Sequence, residues 1–235
     1  MRKKVFKAKN KHKGFTLAEV LITLGIIGVV ATLTIHSLLN NYKAKRLHSQ
    51  FLKSYSTIQQ VFKQMEADDV SLDPSSYTLN QTGSFFKLFK NYLNGITDCQ
   101  RAFNGVLPCA DVYSVNYKTL DQKSMVPRYF FDDGQIVLPD GTLLAFENSS
   151  SSDYLWVFVD LNGYNNQPNI LGYDLFVFEF LDGELRTMGA KGTKYTDMDK
   201  YCNPNGSSSW INGIACAQKA KENPDYFRDL IKEFK

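Results

Sequence analysis

The chain has 235 residues, a hydrophobic content of 43% and an aromatic content of 14%. These values allow one ordinary domain with an appendage and exclude a mainly disordered polypeptide. Residues 1–14 contain seven basic residues and no acidic residue. The remaining body of the chain, residues 15–235, therefore has 20 basic and 24 acidic residues, although the net charge of the whole chain is +3. This mildly acidic body gives no electrostatic reason to expect a nucleic-acid partner.

An apolar run follows the basic start. From Phe15 to Ile35 the only charged residue is Glu19, and 21 residues of α-helix would rise about 30 Å, enough to cross the hydrocarbon core of a bilayer. The positive-inside rule places the amino terminus in the cytoplasm and the rest of the chain outside it. A plain signal anchor and a signal peptide are alternatives. Against a signal peptide, no small-x-small cleavage site follows the run. Against a plain anchor, a carboxylate within the apolar run is costly and serves no anchoring function.

The junction of the two segments reads KGFTLAE, residues 13–19. It resembles the processing and methylation motif of type IV prepilins and type II secretion pseudopilins. The resemblance implies a leader peptide of residues 1–14, a cut between Gly14 and Phe15 by a prepilin peptidase, and methylation of the new amino terminus of Phe15. It also implies that Glu19 neutralises the amino terminus of a neighbouring subunit. An ion pair in low dielectric would set the register of assembly.

The same resemblance names the partners and the location. They are the peptidase/methyltransferase, other pilin-like subunits and an inner-membrane assembly platform, at a bacterial inner membrane and then in a periplasmic or surface filament. His36 stands where many relatives have a helix-kinking proline, so no kink is predicted there. Secretion pseudopili, surface pili and DNA-uptake pili share this start, so the motif does not separate them.

The helix is predicted to continue beyond the membrane segment of residues 15–36. Over residues 37–66 apolar side chains recur in steps of three and four, which lays one stripe on an α-helix. We expect this stripe to pack on the chain's own sheet, and Asp68, Asp69 and the Asp73-Pro74 pair to end the helix. The stripe consists of Leu47, Phe51, Tyr55, Ile58, Phe62 and Met65.

The rest of the chain, residues 67–235, is predicted to be an extracytoplasmic head. A short helix is expected over residues 84–94, with Phe85, Leu88, Phe89 and Tyr92 on its buried side. After residue 128, strand-like runs are joined by Asp-Gly turns at residues 140–141 and 182–183. A last short helix is expected near the carboxy terminus. The predicted fold is therefore α+β, with the long helix packed on an antiparallel sheet.

The four cysteines all follow the membrane segment: Cys99, Cys109, Cys202 and Cys216. None forms a CxxC pair, and the three histidines all precede the head, which argues against a zinc site. Two disulfides in an oxidising compartment are expected instead. Pairing of neighbours closes the shortest loops and is favoured, but the other two connectivities remain open.

The stretch VDLNGYNNQPNILGYDLF, residues 159–176, gathers side-chain oxygens between two predicted strands. Calcium prefers six to eight oxygen ligands, and the stretch resembles a loop of pilin-like heads, some of which hold calcium. Asp160, Asn162 and Asp174 are the expected ligands. The spacing is not that of an EF-hand. The alternative is a loop whose Asx turns satisfy their own backbone.

No catalytic motif is found. The head lacks histidine, GxSxG, GxGxxG, a Walker loop and HExxH. The acid pairs Asp132–Asp133 and Asp197/Asp199 are expected to be solvated. A hydrolase would require two carboxyls facing each other across a cleft. The prediction is a non-enzymatic structural subunit of a pilus-like or pseudopilus filament. The alternative is a membrane-anchored or tip-located minor pilin that binds a surface, DNA or secretion cargo.

Overall fold

The computed structural model describes residues 14–77, 84–101, 107–148 and 154–234, apart from the side chains of Leu33 and His36. Most of the leader peptide expected at residues 1–14 therefore lies outside the described residues. The described chain divides between Tyr42 and Lys43 into two compact units. The first contains the apolar part of a long helix, and the second is the head.

Helix α1 spans Leu17–Ala67 and belongs to both units. It is long and apolar enough to cross a membrane. Its end coincides with the predicted turn, because the amide of Asp69 bonds the carbonyl of Glu66 and Asp69 takes a φ of 55°. The amphipathic stripe predicted over residues 37–66 is confirmed: five of its six side chains are buried, and Tyr55 packs partly buried against the same core.

Aromatic rings join the second part of α1 to the sheet. Phe51 meets Phe176 edge-on with ring centroids 5.0 Å apart, and Phe62 stacks on Phe180 at 4.4 Å. Edge-on and stacked arrangements are the favourable geometries for aromatic pairs. The repeated aromatic contacts fix which turn of α1 lies against which part of the fifth strand.

The helix predicted over residues 84–94 is shorter and turned differently. α2 covers Ser84–Phe89 and is followed by a 3-10 turn over Lys90–Tyr92. Phe85, Phe86 and Phe89 are buried while Leu88 is 39% exposed. Placing Leu88 on the buried side was therefore wrong, because Phe86 packs against Phe146 of the sheet and occupies the inner face in its place.

Six strands form one antiparallel sheet in which spatial order follows chain order. Both predicted hairpin turns are present. Asp182 and Gly183 take φ values of 53° and 77°, the pair of positive angles that a tight two-residue hairpin requires. The strands are β1 Thr97–Gln100, β2 Gln135–Val137, β3 Leu143–Asn148, β4 Leu155–Asp160, β5 Leu175–Leu181 and β6 Glu184–Thr187.

The sheet is buried on both faces, which goes beyond the predicted helix on one face. α1 and α2 cover one face. On the other, Phe130 stacks on Phe158 of β4 at 4.9 Å, and Tyr117 and Ile211 belong to the same buried cluster. Strands buried on both sides read as continuous apolar runs instead of alternating ones. The sequences LWVFVD of β4 and LFVFEFL of β5 have this character.

Three short helices complete the head. α3 covers Met198–Tyr201, α4 covers Cys216–Glu222 and α5 covers Tyr226–Glu233. α5 is the final helix expected from the sequence. It buries Phe227, whose ring lies 5.6 Å from that of Phe176. The carboxy-terminal helices therefore close over the end of β5 that carries Phe176.

Candidate functional site

The expected processing site lies directly before α1. Gly14, Phe15 and Thr16 precede the helix, which begins at Leu17, and Phe15 is 88% exposed. The backbone amide and the hydroxyl of Thr16 both donate to Oε2 of Glu19, at 2.8 and 2.9 Å. In return the amide of Glu19 donates to the Thr16 hydroxyl at 3.3 Å. This reciprocal pattern is a capping box.

The capping box gives Glu19 a partner within its own chain. The carboxylate accepts hydrogen bonds at a helix amino terminus, where unpaired amides and the helix dipole favour negative charge. A cut after Gly14 would place an α-ammonium on Phe15, next to Thr16. This role of Thr16 was not predicted, although threonine three residues before glutamate at the start of an apolar run is the known sequence signature of a capping box.

The residues proposed for calcium are brought together in the β4–β5 connection. Asp160 and Asp174 are fully buried. Oδ1 of Asp160 accepts the amides of Asn162 and Gly163 at 3.2 and 3.0 Å. The oxygens of Asp174 accept the amides of Asn169 and Ile170 at 3.0 and 2.7 Å. The bonds of Asp160 form an Asx turn of the kind expected for the alternative to a metal site, and all four bonds satisfy part of the loop's own backbone.

Burial raises the pKa of both carboxyls, and the neighbouring charge of Asp174 raises that of Asp160 further. Their loop also contains buried amide oxygens. Oδ1 of Asn162 and Oδ1 of Asn169 are buried and accept no hydrogen bond from the described residues. Two carboxyls have about eight lone-pair positions; five hydrogen bonds reach them from Tyr117 and four backbone amides, and the Asn162 side chain also bonds Asp174. Carboxylate and amide oxygens are the ligands that calcium prefers, so the donor set fits such a cation.

One residue at this loop, Tyr117, was not predicted. The hydroxyl of Tyr117 donates to Oδ2 of Asp160 at 2.6 Å, and both residues are fully buried. Burial raises the pKa of Tyr117, and the charge of Asp160 adds to the effect. Asn169 fixes the loop through its amide nitrogen, which donates to the carbonyl of Tyr164 at 2.8 Å. No sequence signal joins Tyr117 to Asp160, because the two are 43 positions apart.

Glycine at position 163 is required by the geometry. Gly163 has a φ of +78°, and a Cβ there would lie 2.5 Å from the carbonyl oxygen of Gly141 in the neighbouring hairpin. A side chain would therefore meet backbone that cannot move without shifting β2 and β3. The contact fixes the position of the loop against the sheet.

Both disulfides join neighbouring cysteines. Cys99 bonds Cys109 and Cys202 bonds Cys216, with Cα atoms 5.7 and 5.0 Å apart. The second bond is buried and holds α3 against α4. A Cβ on Gly172, in the Asp160–Asp174 loop, would lie 2.9 Å from Sγ of Cys216. The carboxy-terminal disulfide therefore packs directly on the loop.

One acid pair departs from the expectation. Asp197 and Asp199 are exposed, but Asp133 is 4% exposed and lies beside Glu147, which is 8% exposed. Oxygens of Asp132, Asp133 and Glu147 all lie within 4.8 Å of one another. Solvation was therefore the wrong expectation for Asp133, because β3 brings Glu147 against it.

The environment of these acids raises their pKa values. Burial raises the pKa of Asp133 to about 6. Burial, followed by the charges of Asp133 and Asp132, raises the pKa of Glu147 to about 8, while Lys194 and Tyr154 act in the opposite direction. Glu147 therefore holds a proton at neutral pH.

A comparison with family models supports the interpretation of the amino-terminal segment. Residues 9–35 match the model described as the prokaryotic N-terminal methylation motif. The segment therefore carries the prepilin-type motif that was expected from residues 13–19. No curated protein and no solved structure matches the chain significantly.

The architecture agrees with the match. The matched residues cover the glycine–phenylalanine junction, the capping box and the apolar turns of α1. A long amino-terminal helix followed by a six-stranded antiparallel sheet is a pilin-like α+β arrangement. The matched motif is the one that implies processing by a prepilin peptidase, and the fold that follows it is compatible with a pilin-type subunit.

Proposed function

We propose that this chain is a structural subunit of a type IV pilus-like or type II secretion pseudopilus filament. It is made as a precursor, cut after Gly14, methylated on Phe15, and assembled through α1 by an inner-membrane platform. The observation that carries the proposal is the coincidence of the methylation motif at residues 9–35 with the Thr16–Glu19 capping box. The carboxylate is already ordered where the new amino terminus would form.

The same observation supports the role of Glu19. In the low dielectric of a filament core or a bilayer, an unpaired carboxylate is costly and an ion pair is strong. A neighbouring Phe15 ammonium would give Glu19 a full countercharge. A subunit in the wrong register would leave both charges unpaired. Glu19 would therefore select the register in which subunits add.

The first test is the intact mass and amino-terminal sequence of the membrane-extracted protein from its native cell. A chain that begins at Phe15 and carries one extra methyl group is the expected result. A chain that begins at Met1 would contradict the proposal and favour a membrane-anchored or tip-located binding module.

The second test separates assembly from anchoring. Glu19→Ala should abolish filaments in the sheared fraction while cleavage after Gly14 continues. Glu66→Ala is the matched control, since it removes a carboxylate from the last turns of the same helix, and it should leave assembly unchanged. Equal filament yield from both variants would contradict the register role and favour the binding module.

A second proposal concerns the Asp160–Asp174 loop, where buried amide oxygens without a partner favour a cation. We propose that it holds calcium through Asp160, Asn162 and Asp174, with Asn169 as a further ligand. Calcium should then raise the melting temperature of the head relative to EDTA, because a ligand at 100 times its Kd stabilises the folded state by about 2.7 kcal/mol. Asn169→Ala should reduce the calcium response. An unchanged melting temperature in 5 mM calcium would contradict this proposal alone.

A further inference from the structure

The first turn of α1 within the head carries an exposed basic cluster. Lys43, Lys45 and Arg46 are exposed, while Ala44 and Leu47 between and beside them are buried in the core. Lys45 and Arg46 therefore lie on the side of α1 away from Ala44 and Leu47, whereas Lys43 lies at the edge of the buried side, near the ring of Tyr173. We refer to Lys43, Lys45 and Arg46 as the basic cluster.

The charges of the basic cluster are not neutralised within the described parts of the chain. Lys43 lies 5.2 Å from the ring of Tyr173, and the ion pairs of the described residues involve other basic side chains. Residues 20–65 contain no aspartate or glutamate. Each charge therefore requires solvent or an anionic partner outside the chain.

The position of the basic cluster along α1 identifies that partner. Lys43 lies eight positions after Ile35, where the apolar run ends, which is about 12 Å along a helix. One head-group layer of a bilayer is about 5–8 Å thick. The basic cluster thus begins just outside the far head-group layer, and its long side chains can reach back to the phosphates.

The residues directly before the cluster are typical of a membrane interface. Leu38, Leu39 and Tyr42 are 68%, 58% and 67% exposed. Tyrosine is enriched at head-group level, with its ring towards the hydrocarbon and its hydroxyl in water. Tyr42 is followed at once by Lys43, which gives the order apolar, aromatic, basic along the chain.

We propose that the basic cluster binds anionic phospholipid head groups in the leaflet from which the head emerges. Long basic side chains reach along the membrane surface while their charges remain at the phosphates. The contact orients the head before assembly, and these lipids must be released when a subunit leaves the membrane. The inference requires membrane anchoring and goes beyond the proposed filament, because it concerns the unassembled subunit.

The test measures lipid selectivity of the full chain reconstituted in phosphatidylcholine bilayers. Spin-labelled phosphatidylglycerol and phosphatidylcholine report the relative association of each lipid with the protein. A basic residue near an anionic surface contributes about fivefold in affinity. The variant K43Q/K45Q/R46Q should therefore lower the preference for phosphatidylglycerol by at least about fivefold. The leader lysines are present in every variant and contribute a constant background.

The matched control is K53Q/K63Q, which removes basic residues 10 and 20 positions further along the same helix. These lie about 10 and 26 Å beyond Arg46, the end of the cluster, outside the Debye length of about 8 Å at physiological salt. The control should keep the wild-type preference. An unchanged preference in the triple variant, or an equal loss in the control, would overturn the proposal.

A charge-reversal series keeps the result independent of folding. Arg46→Gln and Arg46→Glu alter one exposed side chain, and the preference should fall in the order arginine, glutamine, glutamate. Equal values for the three chains would also overturn the proposal. Filaments are absent from this experiment, so its failure would not affect the proposed function.

Discussion

The carboxyl of Glu147 should make the stability of the head depend on pH. Burial and the neighbouring charges of Asp133 and Asp132 raise its pKa from 4.5 to about 8. Because the folded value lies above the unfolded value, the folded head holds a proton that the unfolded chain has already released. The resulting stabilisation is fully present below pH 4.5 and is lost as pH rises towards 8.

The magnitude follows from the two pKa values. Each pH unit between them changes the free energy of unfolding by about 1.4 kcal/mol, so relative to low pH the head is less stable by about 3 kcal/mol at pH 7 and by about 5 kcal/mol above pH 8. Glu147→Gln keeps the shape and removes the charge. We expect the variant to be about 3 kcal/mol more stable than the wild type at pH 7, and within about 1 kcal/mol of it at pH 5.

The assay is urea unfolding of the full chain in mild detergent from pH 5 to pH 9, followed by tryptophan fluorescence. Trp156 is 1% exposed and stacks on Tyr154 at 3.8 Å, so its emission reports the head. Glu184→Gln, on the exposed part of β6, is the control and should be neutral at every pH. A Glu147→Gln variant no more stable than the wild type at pH 8 would refute the reasoning, since Glu147 would then be ionised and well paired.

Three further substitutions test other parts of the structure. Phe62→Ala removes a ring that is 2% exposed and stacks on another ring at 4.4 Å, and we expect it to lower the free energy of unfolding in urea by about 3–5 kcal/mol. Gly163→Ala should lower the free energy of unfolding by about 3 kcal/mol and Gly141→Ala by about 1 kcal/mol. Both glycines have a positive φ, but only a Cβ at position 163 would lie 2.5 Å from a backbone atom. Thr16→Val removes the hydroxyl of the capping box and should speed amide hydrogen exchange in the first turn of α1 in micelles by about fivefold.

For each of these substitutions, a control variant or a contrary result would contradict the structural reason given. Leu52→Ala, on the exposed side of α1, should lower the free energy of unfolding by less than about 1 kcal/mol. If Phe62→Ala lowered it by no more than Leu52→Ala does, α1 would not pack on β5. If Gly163→Ala and Gly141→Ala lowered the free energy of unfolding equally, the close contact at Gly163 would be contradicted. Thr16→Ser should restore slow exchange, and failure to do so would assign the effect of Thr16→Val to something other than the hydroxyl.

Features set by short-range periodicity were predictable from the sequence. The stripe from Leu47 to Met65 repeats at helical spacing, so the sequence indicates which side of α1 is buried. The Asp182-Gly183 turn and the pairing of neighbouring cysteines are equally local. The motif at Gly14 and Phe15 depends on adjacent residues and needs no tertiary information.

Features that depend on distant segments were not predictable. Burial of the second face of the sheet requires residues such as Phe130, which lies outside the strands, to pack on β4. The contact of Tyr117 with Asp160 and that of Asp133 with Glu147 arise only when separate parts of the chain meet. At Leu88 the helical period was correct, but competition from the larger ring of Phe86 decided which side faced inwards.

The order of the strands has a consequence for how the head forms. Because each strand pairs with its neighbours in the chain, a strand that emerges during synthesis finds its partner already present, and most of the sheet can be built from contacts of short sequence separation. The exception is α1, synthesised first, whose aromatic residues pack on β5. Phe62 can pack on α2 early, but the apolar face of α1 around Phe51 stays uncovered until about three quarters of the chain has been made. During that interval this part of α1 is exposed to aggregation.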